Sequence, residues 1–354
     1  MTQSFLITGG AGFIGSALTR HILGRTPCSV VVLDKLTYAA NYESLASVKD
    51  DPRFAFVRGD VADRDVVDRV LNDYRPHAIL HLAAETHVDR SIDGPMTFVQ
   101  NNIVGTATLL EAALKYWRKL PGTLKNSFRF HHVSTDEVYG SLHGNDFFTE
   151  ISRYDPRSPY SASKAAADHL VSAWGHTYGL PILISNSSNT FGPWQYPEKL
   201  IPLMIIKALE GQQLPVYGDG GNVRDWMSVD DHVRALLAVV TQGPPGERYC
   251  LGANCQKSNI DVVKLLCTIM DDLAPKDFPH ESLITYVADR PGHDRKYAID
   301  PAKAAQDLKW VPLDDFSSSL RKTVVWYLQN RAWWNKILRH GYAGQRLGLT
   351  TAQQ

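Results

Sequence analysis

Short apolar runs recur through the first half of the chain. Ser4-Phe5-Leu6-Ile7-Thr8, Val30-Val31-Val32-Leu33, Val57-Arg58-Gly59-Asp60-Val61, Ala78 to Ala84 and Phe128 to Val133 each read as a buried strand. Between the first two, Ser16-Ala17-Leu18-Thr19-Arg20-His21-Ile22-Leu23 has helical apolar spacing, and Ala165-Ala166-Ala167 lies in a second helical stretch. Strands alternating with helices predict an α/β fold of Rossmann type, a doubly wound parallel sheet. From about residue 187 the pattern changes. Gly192-Pro193 and Pro197 interrupt it before a new helix, so a smaller C-terminal mixed α/β domain is expected.

The link between the first strand and helix is Gly9-Gly10-Ala11-Gly12-Phe13-Ile14-Gly15. Glycines at 9, 12 and 15 serve three needs: a tight turn, close approach of backbone to a pyrophosphate, and close packing of helix on strand. The helix N-terminus then offers unpaired N–H groups and a positive dipole end to phosphate. Asp34 closes the second strand, where an acid bonds adenosine ribose hydroxyls and disfavours the extra phosphate of NADP, so the expected cofactor is NAD. Asp60 is expected near the adenine.

The fifth strand ends in Ser134-Thr135-Asp136-Glu137. Adjacent carboxylates are costly at the end of a buried strand unless something uses them. In a parallel sheet that end faces the cofactor crevice, which places the pair at the site. Tyr160 and Lys164 are four apart in a predicted helix and share a face. A nearby ammonium favours phenolate and would lower the tyrosine pKa, making Tyr160 a plausible base for an alcohol.

Bulk properties narrow the picture. The chain has 354 residues, with 37 Lys+Arg against 37 Asp+Glu, so no nucleic-acid or anionic-membrane partner is expected. No apolar run reaches membrane-spanning length, and Phe5-Leu6-Ile7-Thr8 is too short for a signal peptide. Cys28, Cys250, Cys255 and Cys267 have neither metal spacing nor a disulfide pattern, so a cytoplasmic location is expected. His81, His131 and His132 have no acid or cysteine nearby at metal spacing and read as strand residues, so no metal is expected. Trp326, Trp333 and Trp334 fall on roughly one helical face and read as core.

With GxxGxxG at the start and YxxxK near the middle, the chain resembles the extended short-chain dehydrogenase/reductase family. Ser134 to Gly140 is similar to the signature of the dTDP-glucose 4,6-dehydratases within it. So are Asp34-Lys35-Leu36-Thr37-Tyr38, Ala84-Glu85-Thr86-His87-Val88-Asp89-Arg90-Ser91, Pro197-Glu198-Lys199-Leu200-Ile201-Pro202, Arg224-Asp225-Trp226, Asn259 to Val263 and Asp289 to Arg295. The likeness runs from about residue 5 to about 336.

The resemblance implies an internal redox elimination. Tyr160 takes the sugar C4 hydroxyl proton as hydride passes to NAD. Glu137 removes the C5 proton, Asp136 protonates the departing C6 hydroxyl, and hydride returns to C6. Thr135 bonds the C4 oxygen, and Lys164 also holds the nicotinamide ribose. It further implies cofactor contacts at Gly9, Gly12, Phe13, Ile14, Gly15, Asp34, Lys35, Leu36, Thr37, Asp60, Val61, Leu82, Ala83, Ala84, Thr86, Asn101 and Thr190. The nucleotide-sugar side would be Thr86, Thr135, Asn189, Lys199, Leu200, Pro215, Tyr217, Arg224, Asn259, Arg290 and His293. The implied domains are residues 1–186, with returns near 223–249 and 298–318, for NAD, and 187–354 for the nucleotide sugar. A homodimer is implied, through helices containing about 101–117 and 160–178.

Thr190 stands where the family often has asparagine, and Trp194 and Tyr196 alter the aromatic face of that loop. Two other readings stay open. One is a related enzyme, a 4-epimerase or a UDP-glucuronate decarboxylase, against which the Asp136-Glu137 pair argues. The other is a non-catalytic NAD-binding sensor, which would be expected to lose the tyrosine–lysine pair.

Overall fold

The structure is a computed structural model and describes residues 3–142 and 144–340, so the last residues of the expected second domain lie outside the described part. The chain-order strands are Ser4–Thr8 (β1), Ser29–Asp34 (β2), Phe54–Arg58 (β3), Ala78–His81 (β4), Arg129–Thr135 (β5), Ile182–Ser187 (β6), Asn189–Phe191 (β7), Leu214–Tyr217 (β8), Val223–Ser228 (β9), Arg248–Leu251 (β10), Gln256–Ser258 (β11) and Ile284–Val287 (β12). Helices are Phe13–Arg25 (α1), Arg64–Tyr74 (α2), Val88–Asp93 (α3), Pro95–Phe98 (α4), Gly105–Lys119 (α5), Gly122–Ser127 (α6) and Pro159–Tyr178 (α7). They continue as Leu200–Glu210 (α8), Val229–Gln242 (α9), Asn259–Leu273 (α10), Ala302–Leu308 (α11), Phe316–Gln329 (α12) and Arg331–His340 (α13).

Seven strands form one sheet in the order β10-β6-β5-β4-β1-β2-β3, every neighbour parallel. This is the doubly wound arrangement expected. The chain winds one way through β2 and β3 and the other way through β4, β5 and β6, which opens a crevice at the carboxyl ends of β1 and β4. Strand alternation divides the core between the two faces. Phe5, Ile7, Val30, Val32 and Leu80 pack with α1 and α9. Leu6, Val31, Leu33, Ile79 and Phe130 pack with α2, α5 and α7.

Two strand ends differ from the expected ranges. β3 stops at Arg58, so Gly59 and Asp60 already lie beyond the strand, with Gly59 N–H bonded to Asp34 O at 3.0 Å. β4 stops at His81, and Leu82 to Ala84 leave the ladder. In both cases the chain abandons sheet pairing where it begins to line the crevice.

α7 starts where the sequence can start a helix. Ser158 and Ser161 form a reciprocal capping box with Pro159 at the first turn, and Gly179 in the left-handed region (φ 69°) ends it. Its buried face carries Tyr160, Lys164 and Asp168.

After β6 the chain builds a second core from Ile201, Ile205, Trp226, Val263, Leu266, Leu320, Val324, Tyr327, Trp333 and Trp334. Two small sheets, β11-β9-β7 and β12-β8, frame it. Tyr249, Leu251, Ala304, Leu308 and Trp310 return to the first core. The tryptophans are core as expected but do not share one helix. Asn330 separates α12 from α13, and the break folds Trp333 onto Trp326 at 5.2 Å.

Candidate active site

The crevice is built first from backbone. Gly9 has φ 70°, and an added Cβ would lie 2.7 Å from the Ala83 backbone. At Gly15 it would lie 2.3 Å from Gly9 O. Glycine is therefore required for β1, α1 and the loop after β4 to close on one another. Gly12 caps α1 without a side-chain bond, leaving its first N–H groups toward the crevice. Asp34 accepts from Ala11 N–H at 2.9 Å and from Leu36 N–H at 2.8 Å, so both carboxylate oxygens are held at the crevice floor. Burial raises its pKa, opposed by those bonds.

The walls contain Phe13, Ile14, Lys35, Thr37, Asp60, Val61, Leu82, Ala83, Ala84, Thr86, Asn101, Tyr160, Lys164 and Thr190. Leu36 is absent from them. With φ 59° it turns back onto the first core. Lys35 bridges Asp60 at 3.2 Å and Asn101 Oδ1 at 2.6 Å, fixing the far end of the crevice. Asn101 sits in a widened helical turn, Val99–Val104, and donates to Glu85 at 3.1 Å. Ser134 Oγ, Ser188 Oγ, Asn189 Oδ1 and Gln195 Oε1 are buried with no bond among the described residues. All four residues line the crevice. A glycine cradle, a ribose-height acid and unspent polar atoms fit a dinucleotide.

At the other end, β5 delivers Thr135 as the cap of a single 3₁₀ turn, Asp136–Tyr139. Thr135 Oγ1 accepts from Glu137 N–H at 3.3 Å and donates to Asp136 Oδ1 at 3.3 Å. Asp136 is 2 % exposed, and Oδ2 has no bond among the described residues. Burial, then the Glu137 charge, pushes its pKa well above the usual range. Burial raises Glu137 also, but Arg290, Lys199 and Arg224 pull it back. The two carboxyls thus differ in the sense needed for one to hold a proton while its neighbour is empty.

Tyr160 differs from expectation. Its pKa is raised well above 10, first by burial and then by Glu137, with only a Thr135 hydrogen bond opposing. Lys164 does not offset this because its Nζ donates to Val133 O at 2.9 Å and lies 3.4 Å from His132 Nε2. Burial brings Lys164 itself down to about 8.

The substrate-side residues separate into two groups. Thr86, Thr135, Asn189 and Lys199 line the crevice; Leu200, Pro215, Tyr217, Arg224, Asn259, Arg290 and His293 are not in its wall. Several of the latter form an adjoining cluster. Arg290 bonds Asp89 at 2.7 Å, Tyr217 stands edge-on to His293 at 6.4 Å, and Arg224 lies over Tyr297 at 4.3 Å. Leu200 opens α8, Pro215 lies within β8, and Asn259 opens α10. Thr190 Oγ1 is engaged by His232 Nδ1 at 2.9 Å. Trp194 turns away to pack against Trp326, ring centroids 4.8 Å apart and tilted by 53°, whereas Tyr196 faces the crevice. The left-handed φ of 70° at Trp194 directs it to the tryptophan core.

Sequence reasoning gave no site role to Tyr38, Glu85, Gln195, Glu198 and His232, all in the crevice wall. Glu198 is buried, accepts from Arg90 Nε at 2.8 Å, and keeps Oε1 unbonded among the described residues. Its neighbour Lys199 was the available signal. Among the described residues no group of three His, Cys, Asp or Glu could hold a metal ion, and no helix is long and apolar enough to cross a membrane.

The family model for GDP-mannose 4,6 dehydratase matches residues 6–323. A dTDP-glucose 4,6-dehydratase of Neisseria meningitidis serogroup B is 56% identical, covering 98% of this chain and 99% of that protein. The crystal structure of DesIV, a dTDP-glucose 4,6-dehydratase from Streptomyces venezuelae with NAD bound, superposes with a TM-score of 0.87 at 42% identity, covering 95% of this chain and 100% of that one. A dTDP-glucose 4,6-dehydratase of Bacillus anthracis in complex with NAD gives a TM-score of 0.85 at 40% identity, with 95% and 100% covered. With a dinucleotide crevice, an Asp-Glu pair on the turn after β5 and relatives matched end to end, the chain belongs to the dTDP-glucose 4,6-dehydratase family.

Proposed function

We propose that the chain is an NAD-dependent hydro-lyase that converts dTDP-glucose to dTDP-4-keto-6-deoxyglucose. The observation that carries this is the pair of buried Asp136 and half-buried Glu137 beside Tyr160, with Arg290, Lys199 and Arg224 acting on Glu137. When bound, NAD accepts and returns a hydride and brings a cationic ring. Thr135 orients the sugar C4 oxygen, and Tyr160 removes its proton. That step needs added positive charge near the phenol, because burial and Glu137 oppose ionisation. Ketone formation at C4 acidifies C5–H, Glu137 takes that proton, and C5 is reprotonated when C6 regains hydride. Asp136, held protonated by burial, gives its proton to the leaving C6 hydroxyl, which departs as water.

The crevice residues named above are proposed to hold NAD. Lys199, Arg224 and Arg290 are proposed for the diphosphate, since guanidinium pairs donors with phosphate oxygens. The two hydrophobic cores support a division into an NAD domain and a sugar domain, the former regaining the chain at α9, β10 and α11. A cytoplasmic homodimer built on α5 and α7 is also proposed. Exposed Met96 in α4 and exposed Val99 and Val104 in the widened turn before α5 support such a contact.

The test is a mass spectrum of the protein incubated with dTDP-glucose and no added NAD. Loss of one water with a 4-keto-6-deoxy product is expected. An unchanged mass with dTDP-glucose, NAD, UDP-glucose and UDP-glucuronate in turn would overturn the reading.

A further inference from the structure

Behind Lys164, away from the crevice, lies a buried group that the proposed mechanism leaves unused. Lys164 and Asp168 stand one turn apart on α7, and Asp168 is 0% exposed. Asp168 Oδ2 is fully engaged, accepting from Tyr154 OH at 2.6 Å and Asn186 Nδ2 at 3.1 Å, with Arg248 at 3.6 Å. Oδ1 lies 3.2 Å from His132 Nε2 but makes no aligned hydrogen bond among the described residues. That same Nε2 lies 3.4 Å from Lys164 Nζ.

One ring nitrogen therefore faces an ammonium and a carboxylate. It can donate to Asp168 or accept from Lys164, but not both at once. His132 Nδ1 has no bond among the described residues, so no second partner there fixes the tautomer. A carboxylate this buried is costly unless a cation shares its surroundings.

We propose that Asp168, acting through His132, is a positioning residue for Lys164: it is the buried counter-charge that keeps the ammonium protonated and directed at the crevice. The role in catalysis rests on the dehydratase reading above. Other groups face this cluster: His81 from β4 at a ring distance of 5.2 Å, Arg248 from β10, Tyr154 from the loop before α7, and Tyr160 from α7 itself. His131 points to the other face, bonded to Ser185. Arg248 works against a second cation, and Asp168 favours one. Burial has already lowered Lys164 to about 8, with Asp168 opposing that shift, so loss of the carboxylate would bring it lower still.

The experiment compares Asp168→Asn, His132→Gln and Tyr154→Phe in the full chain. Two readouts are followed across pH: kcat/KM, and competitive acetylation of Lys164 by mass spectrometry. In Asp168→Asn the alkaline limb of kcat/KM and the acetylation midpoint should both move to lower pH, by about 1 unit or more. His132→Gln should move them the same way by less, and decides the matter if Asp168→Asn does not fold. Tyr154→Phe, which keeps the charge, should lower thermal stability without moving either midpoint. The proposal is overturned if Asp168→Asn and His132→Gln merely lose stability while Lys164 acetylates as in the wild type. Should the wild type fail to dehydrate dTDP-glucose, the function reading falls, and the acetylation titration still decides this one.

Discussion

Arg290 donates to Asp89 Oδ1 at 2.7 Å across a sequence separation of 201 residues. The pair joins the loop after β12 to α3, which follows β4, and Tyr217 OH meets the other Asp89 oxygen at 3.4 Å. Asp89 thus ties the second core's edge to the crevice rim and presets a cation that also acts on Glu137. Replacing Asp89 with Asn would leave a half-buried guanidinium without its counter-charge. The expected cost is about 1–3 kcal/mol in urea unfolding, with a raised KM for the nucleotide sugar. Unchanged stability and KM would show the pair to be incidental.

The acid pair gives the sharpest expectation for chemistry. Asp136→Asn and Glu137→Gln should each retain NAD and bind the sugar, yet lose elimination by roughly 100-fold or more. Product mass, NAD content and sugar affinity are measured on the same preparations. Elimination at the wild-type rate in either variant would show that its acid–base role is misassigned.

The glycine cradle makes a test of cofactor retention. A Cβ at Gly15 meets Gly9 O at 2.3 Å and Gly10 Cα at 2.7 Å, both backbone atoms with little room to move. Gly15→Ala should cost about 1–3 kcal/mol by overpacking and yield protein depleted of NAD after purification. The ultraviolet spectrum and released nucleotide report the second effect.

Buried neutral histidines set an acid limit. His131 is lowered to about 3 by burial and bonds Ser185 at 2.9 Å. Its folded pKa lies below the unfolded value of about 6.5, so the unfolded chain takes up a proton the fold refuses. Stability attributable to this group is intact above about 6.5 and falls as pH drops toward 3. Each such histidine contributes a slope of about 1.4 kcal/mol per pH unit in that window. His131→Asn should remove that share of the slope in denaturant unfolding between pH 6 and pH 4, whatever Asp136 and Glu137 contribute in the opposite sense. An unchanged slope would mean His131 is not the group responsible.

Much of the design is local and therefore present in the sequence alone. Glycine at 12 and 15 needs only the neighbouring strand and helix to have meaning, whereas the contact that requires glycine at 9 is with the distant Ala83 backbone. Asp34 at the end of β2, the Ser158 cap, and Tyr160 and Lys164 one helical turn apart are local in the same way as Gly12 and Gly15. Each is a relation over a few residues, governed by strand period, helix period or turn geometry. These relations determined the parallel α/β architecture, the crevice and the position of Asp136 and Glu137.

What tertiary structure alone decided is charge. The sequence places an ammonium near Tyr160, but the fold buries the phenol, sets Glu137 beside it and commits the ammonium to Val133 O, reversing the expected shift. The acid that His132 meets is not one of its sequence neighbours Asp136 and Glu137: the β5–α7 packing brings Asp168 to 3.2 Å. Glu198 and Arg90, 108 residues apart, meet only when the loop before α8 folds over the crevice. The reason is physical. Strand and helix periods are read along the chain, whereas a pKa depends on burial and on every charge within a few ångströms in space, and those are set by strand order and loop closure.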